Sequence, residues 1–205
     1  MKKIGNFFKC LLGLLLWIFA VVLYIPFFIL FPVKVVGRKN LSKCKGKAII
    51  ASNHFSNFDV IFLVVHFFKR TFSRKLLAKR ELSKSKFAGF CLAGFGAIFI
   101  TRGKVDLTAV REVDNVLKKD KKLLMFPEGT RNKTGSTDMQ EIKSGIIFFA
   151  KKSDAPIIPL RMERKARLFR LNKVYVGEPY KVGDNGKIST EEEVKLLEEK
   201  FKNLV

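Results

Sequence analysis

The feature that most constrains the fold is an alternation of short apolar runs with longer amphipathic stretches beyond residue 45. Short apolar runs between polar breaks are typical of buried strands, and apolar residues at helical spacing are typical of helices that cover a sheet. The predicted strands are 47–51, 74–78, 97–101, 122–126, 156–161 and 173–177. The predicted helices are 58–68, 83–93, 105–119, 141–152 and 190–204. This alternation predicts an α/β fold with a mixed, partly parallel sheet flanked by helices.

The last predicted helix carries its own start signal. Thr190 with Glu193 three residues later matches a capping box, in which the side chain of each residue accepts a hydrogen bond from the backbone amide of the other. The apolar residues that follow, Val194, Leu197 and Phe201, are predicted to be buried against the sheet.

The N-terminal part of the chain is dominated by an uncharged apolar segment from Cys10 to Val33. About 20 apolar residues are enough for a helix to cross a bilayer. Basic residues flank both ends and Pro26 interrupts the segment, which suits a hairpin that enters one leaflet and returns, with a single span as the alternative. We therefore expect an N-terminal apolar two-helix membrane motif over residues 1–40 and one globular domain over residues 41–205.

The charge of the chain is strongly positive, at +22, and the first 50 residues contain no acidic side chain. Such an imbalance indicates an anionic partner, either a membrane rich in acidic lipid or a nucleic acid. The apolar segment and the lack of a nucleic-acid motif favour the membrane, with the globular domain on the cytoplasmic side. Three widely spaced cysteines, Cys10, Cys44 and Cys91, argue against a disulfide frame or a zinc site. If the chain is not an enzyme, the charge would fit a non-catalytic basic protein that binds a membrane surface or a nucleic acid.

A histidine and a carboxylate follow the first predicted strand. His54 and Asp59 lie in the polar stretch before the helix at 58–68, where open α/β sheets bind their ligands. Five residues apart, the two side chains can meet only if the backbone bends between them. The carboxylate would then hold one imidazole nitrogen and leave the other to accept a substrate proton. The alternative is a histidine at a helix start, with Asp59 favourably placed in the first turn.

Two further predicted strands are followed by arginines. Arg102 comes after the strand at 97–101, and Arg131 ends the turn after the strand at 122–126. The planar fork of an arginine can bind phosphate through two hydrogen bonds, so cations beside a His/Asp pair indicate a negatively charged substrate group. Taken singly, each cluster also fits a solvated surface charge and an ordinary turn.

The order of these blocks resembles the glycerolipid acyltransferase superfamily, and within it the bacterial 1-acylglycerol-3-phosphate acyltransferases. The blocks are Asn53-His54 with Asp59, Gly96 with Phe99 and Arg102, Phe126-Pro127-Glu128-Gly129-Thr130-Arg131, and Pro156-Ile157-Ile158-Pro159. The resemblance covers about residues 45–180, and the block at 126–131 is its most specific part. Lys79 also lies in a stretch, residues 77–82, that is similar to a lysine-bearing segment of the family.

The resemblance implies a role for each matching residue. His54 would be the general base that takes the proton from a lysophospholipid hydroxyl, and Asp59 would orient it. The phosphate of the acceptor would be held by Arg131 and Lys79, with Arg102 as a helper. The remaining substrate-binding residues implied in this way are Asn53, Glu128, Gly129 and Thr130. No metal or cofactor is implied, because the acyl thioester is a co-substrate.

The reaction implied by the resemblance is acyl transfer to the free 2-hydroxyl of 1-acylglycerol 3-phosphate, which gives phosphatidic acid for phospholipid biosynthesis. The partners would be the lysophospholipid acceptor, an acyl carrier protein or coenzyme A thioester as donor, and a cell membrane with anionic lipid. The nearest alternative acylates glycerol 3-phosphate or another lyso-lipid. The resemblance also favours the hairpin over the single span. The sequence leaves open the donor, the acyl-chain length and the oligomeric state.

Overall fold

The structure, a computed structural model, describes residues 26–67, 75–85, 89, 92–93, 96–101, 106–132, 136–184, 186 and 188–204. Within these residues there are seven strands: β1 Val33–Val36, β2 Ala48–Ser52, β3 Lys75–Lys79, β4 Ala97–Ile100, β5 Lys122–Met125, β6 Ile157–Met162 and β7 Asn172–Val176. The helices are α1 Asn40–Lys43, α2 Phe58–Phe67, α3 Leu107–Lys118, α4 Gly145–Ser153 and α5 Thr190–Lys202, with a 3₁₀ helix at Arg80–Lys84.

The strands form one sheet in the order β1-β7-β6-β2-β5-β3-β4. Strands β6, β2, β5, β3 and β4 run parallel to one another, whereas β7 is antiparallel to β6 and β1 is parallel to β7. The carboxyl ends of the parallel strands therefore lie on the same edge of the sheet as the first residues of β1 and β7. We call this edge the carboxyl edge. The predicted α/β fold, with a mixed, partly parallel sheet flanked by helices, is confirmed, and most of the strand pairs are parallel.

Apolar layers cover both faces of the sheet. Successive side chains of a strand point to opposite faces, so Ile49 packs on one layer and Ile50 on the other. The first layer is built with α3, α4 and α5, and Leu197 and Phe201 of α5 are fully buried in it, as predicted. The second layer is built with α2, which contributes Phe62. A strand that is buried on both faces accounts for the continuous apolar run in β2.

Several element boundaries differ from the sequence prediction. Strand β1 was not predicted, and it brings the sheet to Val33, inside the range 1–40 expected for the membrane hairpin. Helix α4 begins at Gly145 rather than at residue 141. The predicted helix at 83–93 falls largely outside the described residues. Of the residues that are described there, 83 and 84 end the 3₁₀ helix, whereas 89, 92 and 93 are helical.

The capping box of α5 is displaced by one residue, so the prediction of Thr190 and Glu193 was wrong. Ser189 is the N-cap, with an extended backbone, and it exchanges hydrogen bonds with Glu192. Glu193 is instead buried and accepts a hydrogen bond from the Gly183 backbone at 2.7 Å. A tertiary contact to the preceding loop thus determines which glutamate closes the cap.

The beginning of the described chain packs against α2. Residues 26–30 are helical. The ring of Phe27 contacts Phe58 and His66 of α2, and the ring of Phe31 contacts Phe58 and Phe62, at centroid distances of 4.7–6.5 Å. Burial among these rings lowers the pKa of His66 to about 4, so the ring is neutral at physiological pH. Most of the expected membrane segment, residues 1–25, lies outside the described residues. Among the helices that are described, none has both the length and the apolarity needed to cross a membrane.

Candidate active site

The turn between β2 and α2 folds around the carboxylate of Asp59. The Phe55 and Ser56 backbone amides each donate a hydrogen bond to Asp59 Oδ2 at 2.6 Å, and Ser56 Oγ donates to Asp59 Oδ1 at 2.9 Å. This is the backbone bend that the sequence spacing requires, because the side chain of a residue in the first helical turn satisfies the amides of the preceding loop. Asp59 is fully buried, so the loop conformation depends on it.

The same carboxylate contacts the imidazole of His54. Nδ1 of His54 lies 3.0 Å from Asp59 Oδ2, and the histidine side chain is 15% exposed. An ionised carboxylate only accepts hydrogen bonds, so Nδ1 carries the proton and Nε2 is left as the acceptor. The ring stacks on Phe126 with a centroid distance of 4.1 Å and an interplanar angle of 25°. The two residues meet as predicted. Phe126 contacts the face of the imidazole, and Asp59 contacts its edge.

The segment after β5 encloses the backbone of His54. The amide of His54 donates to Glu128 Oε1 at 3.1 Å, and the His54 carbonyl accepts from the Asn132 amide at 2.8 Å. Between these contacts the chain turns at Gly129, whose φ of +70° lies in the left-handed region that favours glycine. The segments that follow the neighbouring parallel strands β2 and β5 are thus hydrogen-bonded to each other at the carboxyl edge.

The carboxyl group of Glu128 is buried, with 2% of the residue's surface exposed. Burial raises the pKa of Glu128 to about 7, against smaller effects of hydrogen bonds from the His54 and Gln140 backbones. The carboxyl group therefore exchanges a proton near neutral pH while it holds the residue that carries the candidate base.

The raised pKa of Glu128 predicts a pH dependence of stability. Between the unfolded carboxyl pKa of about 4.3 and the folded value of about 7, the folded state binds more protons, so the free energy of unfolding falls as the pH rises. This one group should account for roughly 3 kcal/mol between pH 5 and 8. Glu128→Gln, which keeps an acceptor oxygen but cannot ionise, should lose that part of the pH dependence in urea unfolding of the detergent-solubilised chain. Identical pH profiles for the two proteins would contradict the prediction.

Two of the three predicted phosphate-binding residues, Arg131 and Lys79, lie at the carboxyl edge of the sheet. Arg131 is exposed and directly precedes Asn132, and it has no ion pair among the residues that the structure describes. Lys79 is the last residue of β3, 44% exposed, with its Nζ 3.5 Å from Glu81 Oε1. Arg102 lies outside the described residues, just beyond the end of β4 and Thr101. Because β5 is next to β2 and β3 is one strand further away, the strand order places Arg131 nearer to His54 than Lys79 is.

Two of the predicted substrate-binding side chains are engaged with protein groups. Asn53 is buried, and its carboxamide both donates to the Met162 carbonyl at 2.9 Å and accepts from the Met162 amide at 2.8 Å. Thr130 is exposed, and its hydroxyl donates to Gln140 Oε1 at 3.0 Å. The structure therefore places Asn53 as a tie between the ends of β2 and β6, whereas Thr130 and Gly129 lie at the surface of the turn beside Arg131.

One structural contact at this edge was not anticipated from the sequence. Arg80, next to Lys79, donates to Thr101 Oγ1 at 2.8 Å and pairs with Asp106 Oδ2 at 2.9 Å. Asp106 also caps α3 by accepting from the Ala109 amide. The pair joins the end of β3 to the end of β4, and no local sequence pattern distinguishes Arg80 from the other basic residues around it.

The chain is similar to known acyltransferases in sequence and in structure. Residues 32–163 match the protein-family model described as Acyltransferase. The 1-acyl-sn-glycerol-3-phosphate acyltransferase of Saccharomyces cerevisiae is 34% identical over 140 residues, which are 66% of this chain and 44% of that protein. The protein of the same name from Borreliella burgdorferi is 31% identical over 143 residues, 69% of this chain and 55% of its own. This chain spans about half the length of these two relatives.

A solved structure shares the arrangement described above. The crystal structure of the 1-acyl-sn-glycerophosphate (LPA) acyltransferase PlsC from Thermotoga maritima superimposes with a TM-score of 0.61 at 27% identity. The match covers 84% of this chain and 70% of that one.

Proposed function

The chain belongs to the acyltransferase family, and from this premise we propose that it transfers a fatty acyl group from a thioester to the 2-hydroxyl of 1-acylglycerol 3-phosphate. The product would be phosphatidic acid, and the donor would be an acyl carrier protein or coenzyme A thioester. The names of the relatives and of the matching structure support the acceptor.

The observation that carries the proposal is the pairing of His54 with Asp59 at the carboxyl edge. Nδ1 is committed to the carboxylate, which leaves Nε2 as the proton acceptor of a partly exposed ring. A hydroxyl group is a poor nucleophile at neutral pH, and a positioned base accelerates its reaction about 100- to 10,000-fold. Arg131, exposed on the neighbouring turn, supplies the charge that a phosphate-bearing acceptor requires.

The proposed steps balance without an acyl-enzyme. Nε2 of His54 takes the hydroxyl proton as the acceptor oxygen attacks the thioester carbonyl, and the buried Asp59 carboxylate stabilises the imidazolium that forms. The tetrahedral intermediate then collapses, the carbon–sulfur bond breaks, and the thiolate of the donor takes the proton from Nε2. In this scheme Ser56 positions the carboxylate, because its hydroxyl donates to Asp59 Oδ1.

We place the protein at the cytoplasmic face of the cell membrane, attached by the apolar segment that precedes β1. The acceptor's acyl chain lies in the bilayer, so a cleft that serves it must be held at the interface. The positive charge of the chain, +22, complements a leaflet rich in anionic lipid. Residues 26–31 pack on α2, the helix that follows His54, so this attachment would lie close to the proposed base.

A direct test of the function is an acyl-transfer assay with membranes that contain the full chain. Lysophosphatidic acid and glycerol 3-phosphate are offered separately, each with acyl carrier protein and with coenzyme A thioesters. We expect acylation of lysophosphatidic acid by at least one donor. Acylation of glycerol 3-phosphate alone would replace the proposed acceptor, and no transfer to either acceptor would exclude the proposal.

Arg131→Ala should weaken the grip on phosphate-bearing acceptors. Loss of a charge-assisted hydrogen-bonding partner costs roughly 1.5–3 kcal/mol, so KM for lysophosphatidic acid should rise about 10- to 100-fold. The effect on monoacylglycerol, an acceptor without phosphate, should be small. Arg111→Ala removes an exposed arginine of α3 and serves as the matched control. If both variants have the same KM for lysophosphatidic acid, Arg131 does not bind the phosphate.

A further inference from the structure

The loop between β6 and β7 exposes large apolar side chains beside a cluster of cations. Residues 164–171 contain four basic residues and no acidic one: Arg164, Lys165, Arg167 and Arg170. Leu168, Phe169 and Leu171 are 53%, 72% and 56% exposed. A patch that combines exposed apolar side chains with cations marks an interaction site rather than an ordinary solvated surface. We call residues 164–171 the basic apolar loop.

The exposure of this loop is built into the fold. The side chain of Asn172 accepts a hydrogen bond from the Arg167 amide at 2.9 Å and donates to the carbonyls of Arg167 and Arg170 at 3.1 and 2.9 Å. Phe169 adopts a φ of +54°, a left-handed conformation that is costly for an aromatic residue. The loop is therefore held in a shape that presents its apolar tips to the outside.

The loop adjoins the point where the apolar N-terminal segment enters the domain. The Phe169 amide donates to the Leu30 carbonyl at 2.7 Å, and the Asn172 amide donates to the Pro32 carbonyl at 2.9 Å. Ile29, near that junction, is itself 68% exposed. Backbone hydrogen bonds thus join the loop to the end of the apolar segment, and both border this part of the surface with exposed apolar side chains.

The same border lies on the carboxyl edge of the sheet. β6 runs parallel to β2, so the loop leaves β6 on the side where His54 follows β2. Asn53 ties the two strand ends directly through its paired hydrogen bonds with Met162. A surface that lay against the basic apolar loop would therefore also lie beside the proposed catalytic cleft.

We propose that the basic apolar loop is a second membrane-contact surface, distinct from residues 1–25. Leu168, Phe169 and Leu171 would enter the headgroup region of a bilayer, and neighbouring cations would bind its anionic phosphates. This goes beyond the proposed reaction, because it sets the orientation of the domain and does not depend on which acceptor is used. The carboxyl edge would face the lipid, so an acceptor could reach His54 without leaving the bilayer.

The charges of the loop favour a bilayer as its occupant. Arg164 is paired with Glu163 at 2.8 Å, whereas Lys165, Arg167 and Arg170 have no side-chain ion pair within the described part of the chain. An acidic protein would match these cations but not the exposed apolar tips that continue into the uncharged N-terminal segment. A bilayer with anionic headgroups matches both.

The test places a tryptophan in the loop and asks whether lipid surrounds it. Leu168→Trp and, as the control, Phe148→Trp on α4 are made in a Trp17→Phe background, which removes the natural tryptophan. Phe148 is 49% exposed, close to the 53% of Leu168. The full chain is reconstituted with vesicles of phosphatidylcholine and phosphatidylglycerol that carry bromine on their acyl chains. We expect blue-shifted and quenched emission from the Leu168→Trp variant but not from the Phe148→Trp variant.

The charge requirement is tested in the same vesicles with the Leu168→Trp variant. Each cation near an anionic surface strengthens contact roughly 5-fold, so Arg167→Gln with Arg170→Gln should weaken the docking of the loop about 25-fold and abolish most of the quenching. Lys119→Gln with Lys121→Gln, exposed cations at the opposite edge of the sheet, should leave the quenching unchanged.

Equal, unquenched emission from the two tryptophan probes would overturn the proposal, as would quenching that is the same in pure phosphatidylcholine. If addition of an acyl carrier protein, rather than of bromolipid, changed the emission of the Leu168→Trp variant, the loop would be a donor-docking surface instead. A change that depends on protein concentration in detergent alone would assign it to contact between copies of the chain. None of these readouts requires acyl transfer, so failure of the proposed reaction is distinguishable from failure of this inference.

Discussion

Replacing His54 with alanine is expected to lower the acyl-transfer rate about 100- to 10,000-fold, the usual contribution of a positioned general base. The imidazole is only 15% exposed, and it is fixed by Asp59 on one side and by the Phe126 ring on the other. Nε2 is the free proton acceptor that this geometry provides. The proposed mechanism assigns the proton transfer to His54 alone.

The control for this variant is His66→Phe, since the chain contains two histidines. His66 lies buried among aromatic rings, so a phenylalanine there should keep both the packing and the activity. The rate is measured on lysophosphatidic acid with membranes matched for protein content, and folding is monitored by circular dichroism. Wild-type turnover of His54→Ala would show that the proposed base is wrong.

Asp59→Ala is expected to reduce activity as much as loss of His54, and also to destabilise the domain. The carboxylate is fully buried and accepts two backbone amides, a hydroxyl and the imidazole. A buried amide left without a partner costs about 1–3 kcal/mol, and because these two amides are only partly buried, losing both partners should lower the free energy of unfolding by roughly 2 kcal/mol. Asp59→Asn, which keeps an acceptor oxygen but loses the charge, should retain most of the stability and still lose much of the activity.

Asp59 is a positioning residue in this scheme, because it acts through His54. Its removal should therefore have little further effect on the activity of a protein that already lacks the imidazole. The double variant His54→Ala with Asp59→Ala is compared with the two single variants, since residues that act as a unit give non-additive losses. Additive losses in kcat would show that Asp59 has a catalytic role of its own or a purely structural one.

The candidate site is an assembly of strand ends. β2, β5 and β3 are consecutive neighbours, so His54 and Arg131, which follow the first two strands, and Lys79, the last residue of the third, come to one edge although they are far apart in the chain. The order of sequence blocks predicted this arrangement, because parallel strands in an α/β fold carry their ligand-binding loops at the same edge. The family and the fold were therefore accessible before the structure.

The roles of individual polar groups were not accessible in the same way. Asn53 was expected to bind substrate, and that remains a prediction, but its carboxamide is occupied by a residue 109 positions further along the chain. Glu128 lies in the most specific sequence block, yet its Oε1 accepts a hydrogen bond from the backbone amide of His54, 74 positions earlier in the chain. Such partners depend on which strands become neighbours, and no local pattern contains that information.

The missed strand β1 shows the same division. Its four residues continue an apolar segment and therefore do not stand out as a strand, and its partner β7 begins at Asn172. Pairing across such a separation depends on the assembly of the whole sheet. It is also what brings the end of the N-terminal segment beside the basic apolar loop.

The sequence by itself determined the α/β architecture, the burial of the central strands on both faces and the set of chemical groups available to the site. These follow from hydrophobic periodicity and from motif order, which are local or nearly local properties. Only the tertiary structure decided that Asp59 satisfies two backbone amides as well as His54, that Glu128 is buried enough to raise its pKa to about 7, and that the basic apolar loop shares an edge with the cleft. Residues distant in the chain set the burial, the hydrogen-bond partners and the strand neighbours. These properties are therefore visible only in the folded sheet.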